Sequence, residues 1–182
     1  MRWPLAVGGA AAAATLVWWH WREHRFDALV SEVAGLYDVP PKLVRAVIHR
    51  ESRFNVTAIG RRGEVGLMQV TAGASAEWAA AESRPPPSTA ELFVPDVNLR
   101  AGTWYLGRAI RRWAERVDDP LPYALAEYNA GPRHSERWAS NASGSAEFIE
   151  RIDFPTTRRY VQDILRHYRG HVKPSAAMAD PP

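Results

Sequence analysis

Glu51 is the first residue whose type and setting suggest chemistry. It closes an apolar stretch holding Leu43, Val44, Val47 and Ile48, and a loop punctuated by Gly60, Gly63 and Gly66 follows it. A carboxyl set against apolar neighbours resists ionisation, so its pKa rises from the reference value of ~4.3. Raised in this way it is a proton donor at neutral pH, which cleavage of a glycosidic bond requires. The competing reading is a solvated glutamate at a helix end. Other chemistries are thinner. There are no cysteines, which excludes disulfides, thiolate metal sites and a cysteine nucleophile. His20-Trp21-Arg22-Glu23-His24 matches the inverted zinc-protease string H-x-x-E-H. It sits beside an apolar segment rather than in a core, and no third ligand can be assigned, so solvated side chains are the better reading. His167 and His171 share an i, i+4 spacing without a glutamate and are expected to face solvent.

The elements that must position Glu51 are helical. Phe26, Leu29, Val30, Val33 and Leu36 recur at a helical period over 26–37. Pro40 and Pro41 then open a helix over about 40–52, since proline is tolerated in a first turn. Gly60 and Gly63 mark a turn or short hairpin, and 66–81 reads as another helix. The clearest amphipathic helix spans about 98–113, with Leu99, Gly102, Tyr105, Leu106, Ala109, Ile110 and Trp113 inward. A shorter helix over 121–129 stops at Gly131-Pro132. Helices over 145–152 and 155–168 close the domain, the second with Tyr160, Val161, Ile164 and Leu165 inward. No alternating strand-and-helix pattern, phosphate loop, dinucleotide loop or internal repeat occurs. The fold class is mainly α, with at most a very small β-hairpin.

Residues 4–19 carry no charge. Three readings compete: an uncleaved membrane anchor with Trp18, Trp19 and Trp21 at the interface, a cleaved signal peptide, and a core helix. The stretch is shorter than the ~20 residues that comfortably span a bilayer. A helix of alanines beside clustered tryptophans has no polar face, and the bulkiest apolar residues follow the alanines; both points favour the anchor. The basic residues after it favour the orientation opposite to an exported domain. The expected organisation is an anchor or signal segment over 1–25, a catalytic domain over 26–170, and a flexible tail over 171–182.

The remaining polar groups fall into blocks. Glu51-Ser52-Arg53-Phe54-Asn55 is followed by Gly63 and by Gly66-Leu67-Met68-Gln69. Pro95-Asp96-Val97-Asn98 leads to Gly102 and Tyr105-Leu106, and Ala126-Glu127-Tyr128-Asn129-Ala130-Gly131-Pro132 comes next. Phe148-Ile149 and Ile152 precede Thr157-Arg158 and Tyr160-Val161. Over about 30–168 this order and spacing resembles the lytic transglycosylases with a soluble-transglycosylase (SLT), goose-lysozyme-like domain. The resemblance implies a lysozyme-like helical fold and Glu51 as the single catalytic glutamate. That group would protonate the glycosidic oxygen between N-acetylmuramic acid and N-acetylglucosamine. As carboxylate it would then take the proton of the sugar's own 6-hydroxyl, which closes a 1,6-anhydro end. The substrate's N-acetyl group would stabilise the intermediate, so no second carboxylate nucleophile is needed. The implied substrate-binding positions are Ser52, Gly66, Leu67, Met68, Gln69, Tyr128, Asn129, Ala130 and Tyr160. Residue chemistry agrees: Gly66 allows close backbone approach to a sugar, and Gln69 offers a donor and an acceptor. Met68 offers a soft wall, Tyr128 a hydroxyl within reach of Glu51, and Asn129 an amide at the helix break. Core packing is the competing reading of Met68 and Tyr128.

Three positions depart from the family's pattern. Val70-Thr71-Ala72 follows Gln69 where an apolar residue, Met and Pro are common. Thr156 replaces the glutamate of a Glu-Thr-Arg motif, removing a like charge from the groove. Glu127 stands where alanine is common and is expected to face solvent. Two rivals therefore stay open: a hydrolytic muramidase, which would want a second carboxylate among Glu64, Asp96 and Glu127, and a non-catalytic peptidoglycan-binding scaffold. A role beside an envelope-spanning machine is compatible with the enzyme. The expected partners are peptidoglycan glycan strands and, through the N-terminal segment, the inner membrane. That places the domain in the periplasm or otherwise outside the cytoplasmic membrane. Neither metal nor organic cofactor is needed. The net charge of +3 is compatible with an anionic polymer, but no dense basic run interleaved with aromatics occurs, so nucleic acid is not expected.

Overall fold

The computed structural model describes residues 17, 18 and 20–170. Most of the expected anchor segment, and the whole expected tail over 171–182, lie outside the described residues. Among those described, no helix is long and apolar enough to cross a membrane.

The structure is mainly helical. Its principal helices are α1 (Asp27–Leu36), α2 (Pro41–Ser52), α3 (Ala72–Ala81), α4 (Pro95–Ala114), α5 (Leu121–Ala130), α6 (Pro132–Ala139), α7 (Ser145–Arg151) and α8 (Pro155–Gly170). Helix α5 is the hub, packing against α4, α6, α7 and α8. Its residues Pro122 to Glu127 are all buried. A helix enclosed on every side needs no polar face, which is why Leu121–Ala130 shows little amphipathic pattern. Helix α2 packs on α1 and α8 and buries Leu43, Val44, Ala46, Val47 and Ile48. Pro41 at its first turn is pre-set in φ and forfeits only an N–H with no intrahelical partner. At its other end Arg53 (φ 50) and Phe54 (φ 61) are both left-handed. That conformation costs roughly 1–2 kcal/mol per L-residue. Burial of the Phe54 ring, 1% exposed, offsets it, since a buried Phe gains about 1.5–3 kcal/mol. The reversal leaves Glu51 at the helix end with a loop folded back beside it.

That loop is pinned by two isolated bridges, Ile59 to Val65 and Val65 to Val70, which agrees with at most a very small hairpin. Two expectations are corrected. Residues 66–81 were expected as one helix, but only Ala72–Ala81 is helical. Gly66 (φ 78) and Gln69 (φ 47) are left-handed, and Thr71 caps the true start by accepting from the Ala74 N–H at 3.1 Å. Gly131-Pro132 was expected only as a stop. It ends α5 and begins α6, with Pro132 at a first-turn position.

Candidate active site

The Glu51 carboxyl accepts a hydrogen bond from the Tyr160 hydroxyl at 2.7 Å. Burial pushes its pKa up to about 7. The Tyr160 bond and the Arg50 charge pull it down, and the charge of Glu64 pushes it further up. The Arg50 guanidinium lies 5.4 Å over the Tyr160 ring, so the acid's partner is itself packed. Tyr160 is 1% exposed and reaches Glu51 from α8, 109 residues along the chain.

Glu51 lines a cavity of about 340 Å³ together with Gly60, Glu64, Gln69, Tyr128 and Asn129. A second cavity of about 360 Å³ shares Glu64, Gln69, Thr71, Tyr128 and Asn129, and extends past Glu77 and Tyr105 to Ala130. The two form one continuous cleft with the acid towards one end. An elongated polymer with hydroxyl and amide groups suits this lining better than a compact apolar ligand.

The structure sorts the residues expected at the site. Glu51, Gln69, Tyr128, Asn129 and Ala130 line the cleft. Gln69 donates from Nε2 to the carbonyls of Gly66 (3.0 Å) and Ala58 (3.2 Å), so its Oε1 is the end left for a ligand. Asn129 accepts the Thr157 hydroxyl on Oδ1 at 2.7 Å, which leaves its amide N–H groups as donors. Tyr160 holds the acid. Ser52, Gly66, Leu67 and Met68 build the site from behind instead. The Ser52 hydroxyl donates to the Leu67 carbonyl at 2.8 Å, tying the loop to α2. Leu67 and Met68 are fully buried, so Met68 is packing and not a wall. Gly66 faces Asn98: a Cβ there would collide with the Asn98 amide and approach the Leu92 carbonyl at 2.9 Å. Its glycine is required by that contact and by φ 78. Asn98 explains the block Pro95 to Asn98: buried on α4, it donates to the carbonyls of Val65 (2.9 Å) and Leu92 (2.8 Å) and accepts the Met68 N–H (2.8 Å).

Three side chains are placed against expectation. The Tyr128 hydroxyl donates to the Met68 carbonyl at 2.8 Å, and Tyr160 takes the bond to Glu51 foreseen for Tyr128. Glu127, expected in solvent, is 1% exposed. It accepts from Trp113 Nε1 at 2.8 Å and pairs with Arg112, because α5 has no solvent face. His167 is half-buried and its ring stacks on His49 at 4.7 Å. The sequence reading missed Thr71 and Tyr105 as lining residues, and it weighed Glu64 only as one of three candidate second carboxylates for a muramidase. Gly60 and Gly63 around Glu64 were the available signal of a loop folded close to α2. Thr156 is exposed, while Thr157 is buried.

The family model described as "Transglycosylase SLT domain" matches residues 28–150. The chain is 29% identical over 174 residues to the soluble lytic murein transglycosylase of Escherichia coli (strain K12), covering 91% of this chain and 26% of that protein. It is 33% identical over 126 residues to the membrane-bound lytic murein transglycosylase C of Shigella sonnei (strain Ss046), covering 66% of this chain and 35% of that protein. The chain thus spans only a quarter to a third of these relatives' length. Among solved structures, the lytic transglycosylase Slt of Pseudomonas aeruginosa superposes with a TM-score of 0.70 at 31% identity, covering 78% of this chain and 23% of that one. That structure is of an inactive mutant in which a glutamate is replaced by glutamine.

Proposed function

The chain belongs to the transglycosylase SLT family, and from that premise we propose that it is a peptidoglycan lytic transglycosylase. It cleaves the β-1,4 bond between N-acetylmuramic acid and N-acetylglucosamine and leaves 1,6-anhydromuramic ends. The observation that carries this reading is the Glu51 carboxyl, lifted to about 7 within a cleft. A group at that value is half protonated near neutrality, so it can give a proton and take one back. As acid, Glu51 protonates the leaving oxygen and the C1–O bond breaks. As carboxylate, it accepts the proton of the muramic 6-hydroxyl, whose oxygen bonds C1. The Tyr160 hydroxyl at 2.7 Å orients the carboxyl and stabilises its ionised form between the two steps. Gln69 Oε1 and the Asn129 amide are placed to accept from and donate to N-acetyl and hydroxyl groups.

A specific observation keeps the hydrolytic muramidase as a second reading: Glu64 lines the same cavity as Glu51 and would be the base for water. Burial works to raise its pKa, but Arg62 and backbone N–H donors hold it below the ordinary carboxylate range. That makes it a weak base, which favours internal attack by the 6-hydroxyl. Mass analysis of muropeptides released from purified cell wall by the native chain, beside Glu51→Gln, separates the readings. Anhydro ends and a loss of at least ~100-fold on substitution are expected, the lower end of an acid–base contribution. Ordinary reducing ends would establish the muramidase. Wall binding without cleavage by either protein would establish the scaffold.

Residues 26–170 form the catalytic unit in this reading. The uncharged stretch over 4–19 supports a membrane anchor that holds the domain against peptidoglycan outside the cytoplasmic membrane.

A further inference from the structure

We propose that Glu64 is a positioning residue for Glu51: a fixed carboxylate in the same cleft whose negative charge adds to burial in favouring the acid form of the Glu51 carboxyl. The inference rests on reading Glu51 as the acid, and it assigns a task to a carboxylate that the reaction itself does not use.

The placement of Glu64 is built in several ways. Its Oε2 accepts from the Arg62 backbone N–H at 2.9 Å and its Oε1 from Arg62 Nε at 2.9 Å. The loop closes on itself through the Gly60 N–H, which donates to the Glu64 carbonyl at 2.7 Å. Gly60 supplies the space: a Cβ there would collide with the Glu64 carboxylate and lie 2.8 Å from Gln69 Oε1. Any larger residue at 60 would force the Glu64 carboxylate or the Gln69 amide to shift.

Pairing with Arg62 does not cancel the field that Glu51 experiences. The Arg62 side chain is 80% exposed and that of Glu64 only 14%. Arg62 also lines the cleft, but water screens the exposed guanidinium more than the carboxylate, so the pair cancels only in part. The direction agrees with the upward push of Glu64 on Glu51. The other charged and titratable groups around Glu51 do not replace this effect. On its own helix Arg50 acts in the opposite sense and is paired with Asp163 of α8 at 3.7 Å. Tyr160 of α8 donates to the carboxyl. Tyr128 of α5 stays a neutral phenol, its pKa driven well up by burial. Arg61 on the loop is cationic and lines the cavity. His49 faces His167 of α8 and Glu23. Glu64 is thus the negative side chain that lines the Glu51 cavity.

The test is a ¹³C titration of the glutamate side-chain carboxyls in the full-length chain, with the Glu51 resonance assigned by its loss in Glu51→Gln. Native protein is compared with Glu64→Gln and Arg62→Gln. Glu64→Gln removes the part-buried charge, and the Glu51 midpoint is expected to fall by about half a pH unit, the scale of one partly solvated unit charge on another. Arg62→Gln removes the screening cation but keeps the backbone bond to Glu64, and the midpoint is expected to rise. Opposite movements support the proposal, because a loop that served only as scaffold would move both the same way or neither. An unchanged or raised midpoint in Glu64→Gln overturns it. The readout needs no turnover, so a failure here leaves the product analysis of Glu51 standing. Conversely, absence of anhydro products would remove the function without altering the midpoints.

Discussion

At the scale of single residues, Tyr160 decides how the acid behaves. Its hydroxyl donates to Glu51 and stabilises the carboxylate. Tyr160→Phe therefore raises the Glu51 pKa further. The acid form then persists to higher pH, and the alkaline limb of kcat/KM moves up. In the proposed reaction the carboxylate formed when Glu51 gives up its proton then lacks its stabilising donor, so kcat at pH 6, where the acid form already predominates, falls by about tenfold if one charge-assisted hydrogen bond of ~1.5 kcal/mol is lost. A pH–rate profile on solubilised glycan strands checks both. A limb that moves down would show that the hydroxyl favours the neutral acid. The buried setting of Glu51 was legible only with the blocks that follow it, from Gly66-Leu67-Met68-Gln69 to Tyr160-Val161, since a lone acid at a helix end is most often solvated. Its partner was not. Tyr128 and Tyr160 carry identical phenols, and only the packing of α8 on α2 decides which one reaches the carboxyl.

At the scale of elements, the site depends on how closely α4 and α5 approach the 66–69 turn. Gly102 lets α4 close: a Cβ there would lie 2.7 Å from both Cβ and Sδ of Met68 and 3.1 Å from the Tyr128 hydroxyl. Gly102→Ala is expected to destabilise the fold by about 1–3 kcal/mol, the usual cost of overpacking, and to lower kcat by shifting Tyr128 in the cleft. Urea denaturation and turnover measure the two effects. On the opposite side of α5, Glu127 joins three helices. It accepts from Trp113, pairs with Arg112 of α4, and through Arg112 reaches Glu136 of α6. Glu127→Ala leaves Trp113 and Arg112 without their buried acceptor. A loss of roughly 2–4 kcal/mol is expected, below the cost of breaking a fully buried pair because Arg112 is 36% exposed. The expected result is a lower urea midpoint with an unchanged slope. Periodicity located α1, α2, α4 and α8 because each has one buried face. It failed for Glu127 because α5 has no outer face, and for α6 because Gly-Pro both stops one helix and starts another.

At the scale of the whole molecule, the raised acid couples function to stability, and the sign can be worked out. Glu51 has an ordinary value of 4.5 in the unfolded chain and about 7 in the folded one. The folded state binds the proton more tightly, so the favourable contribution is complete below about 4.5 and is lost as pH rises to about 7. Above that, the folded protein carries an ionised carboxylate where burial disfavours it. Glu51→Gln has the same shape but no charge to ionise, and its amide can still accept from Tyr160. The variant and the native chain should match in stability at pH 4. Their difference should open between pH 4.5 and 7 and then level off, with the variant the more stable. Each pKa unit is worth 1.36 kcal/mol; discounted for partial solvation of the cleft, the plateau is about 2 kcal/mol. For a domain of this size that corresponds to roughly 4–8 °C in Tm. Thermal unfolding of both proteins across pH 4 to 8 measures it. The difference curve cancels the titrating groups that do not sense Glu51, so it reports Glu51 and the groups coupled to it, Glu64 among them. A flat difference would show that the carboxyl ionises as easily in the cleft as in water, and both the proton-donor role and the influence of Glu64 would lose their physical basis.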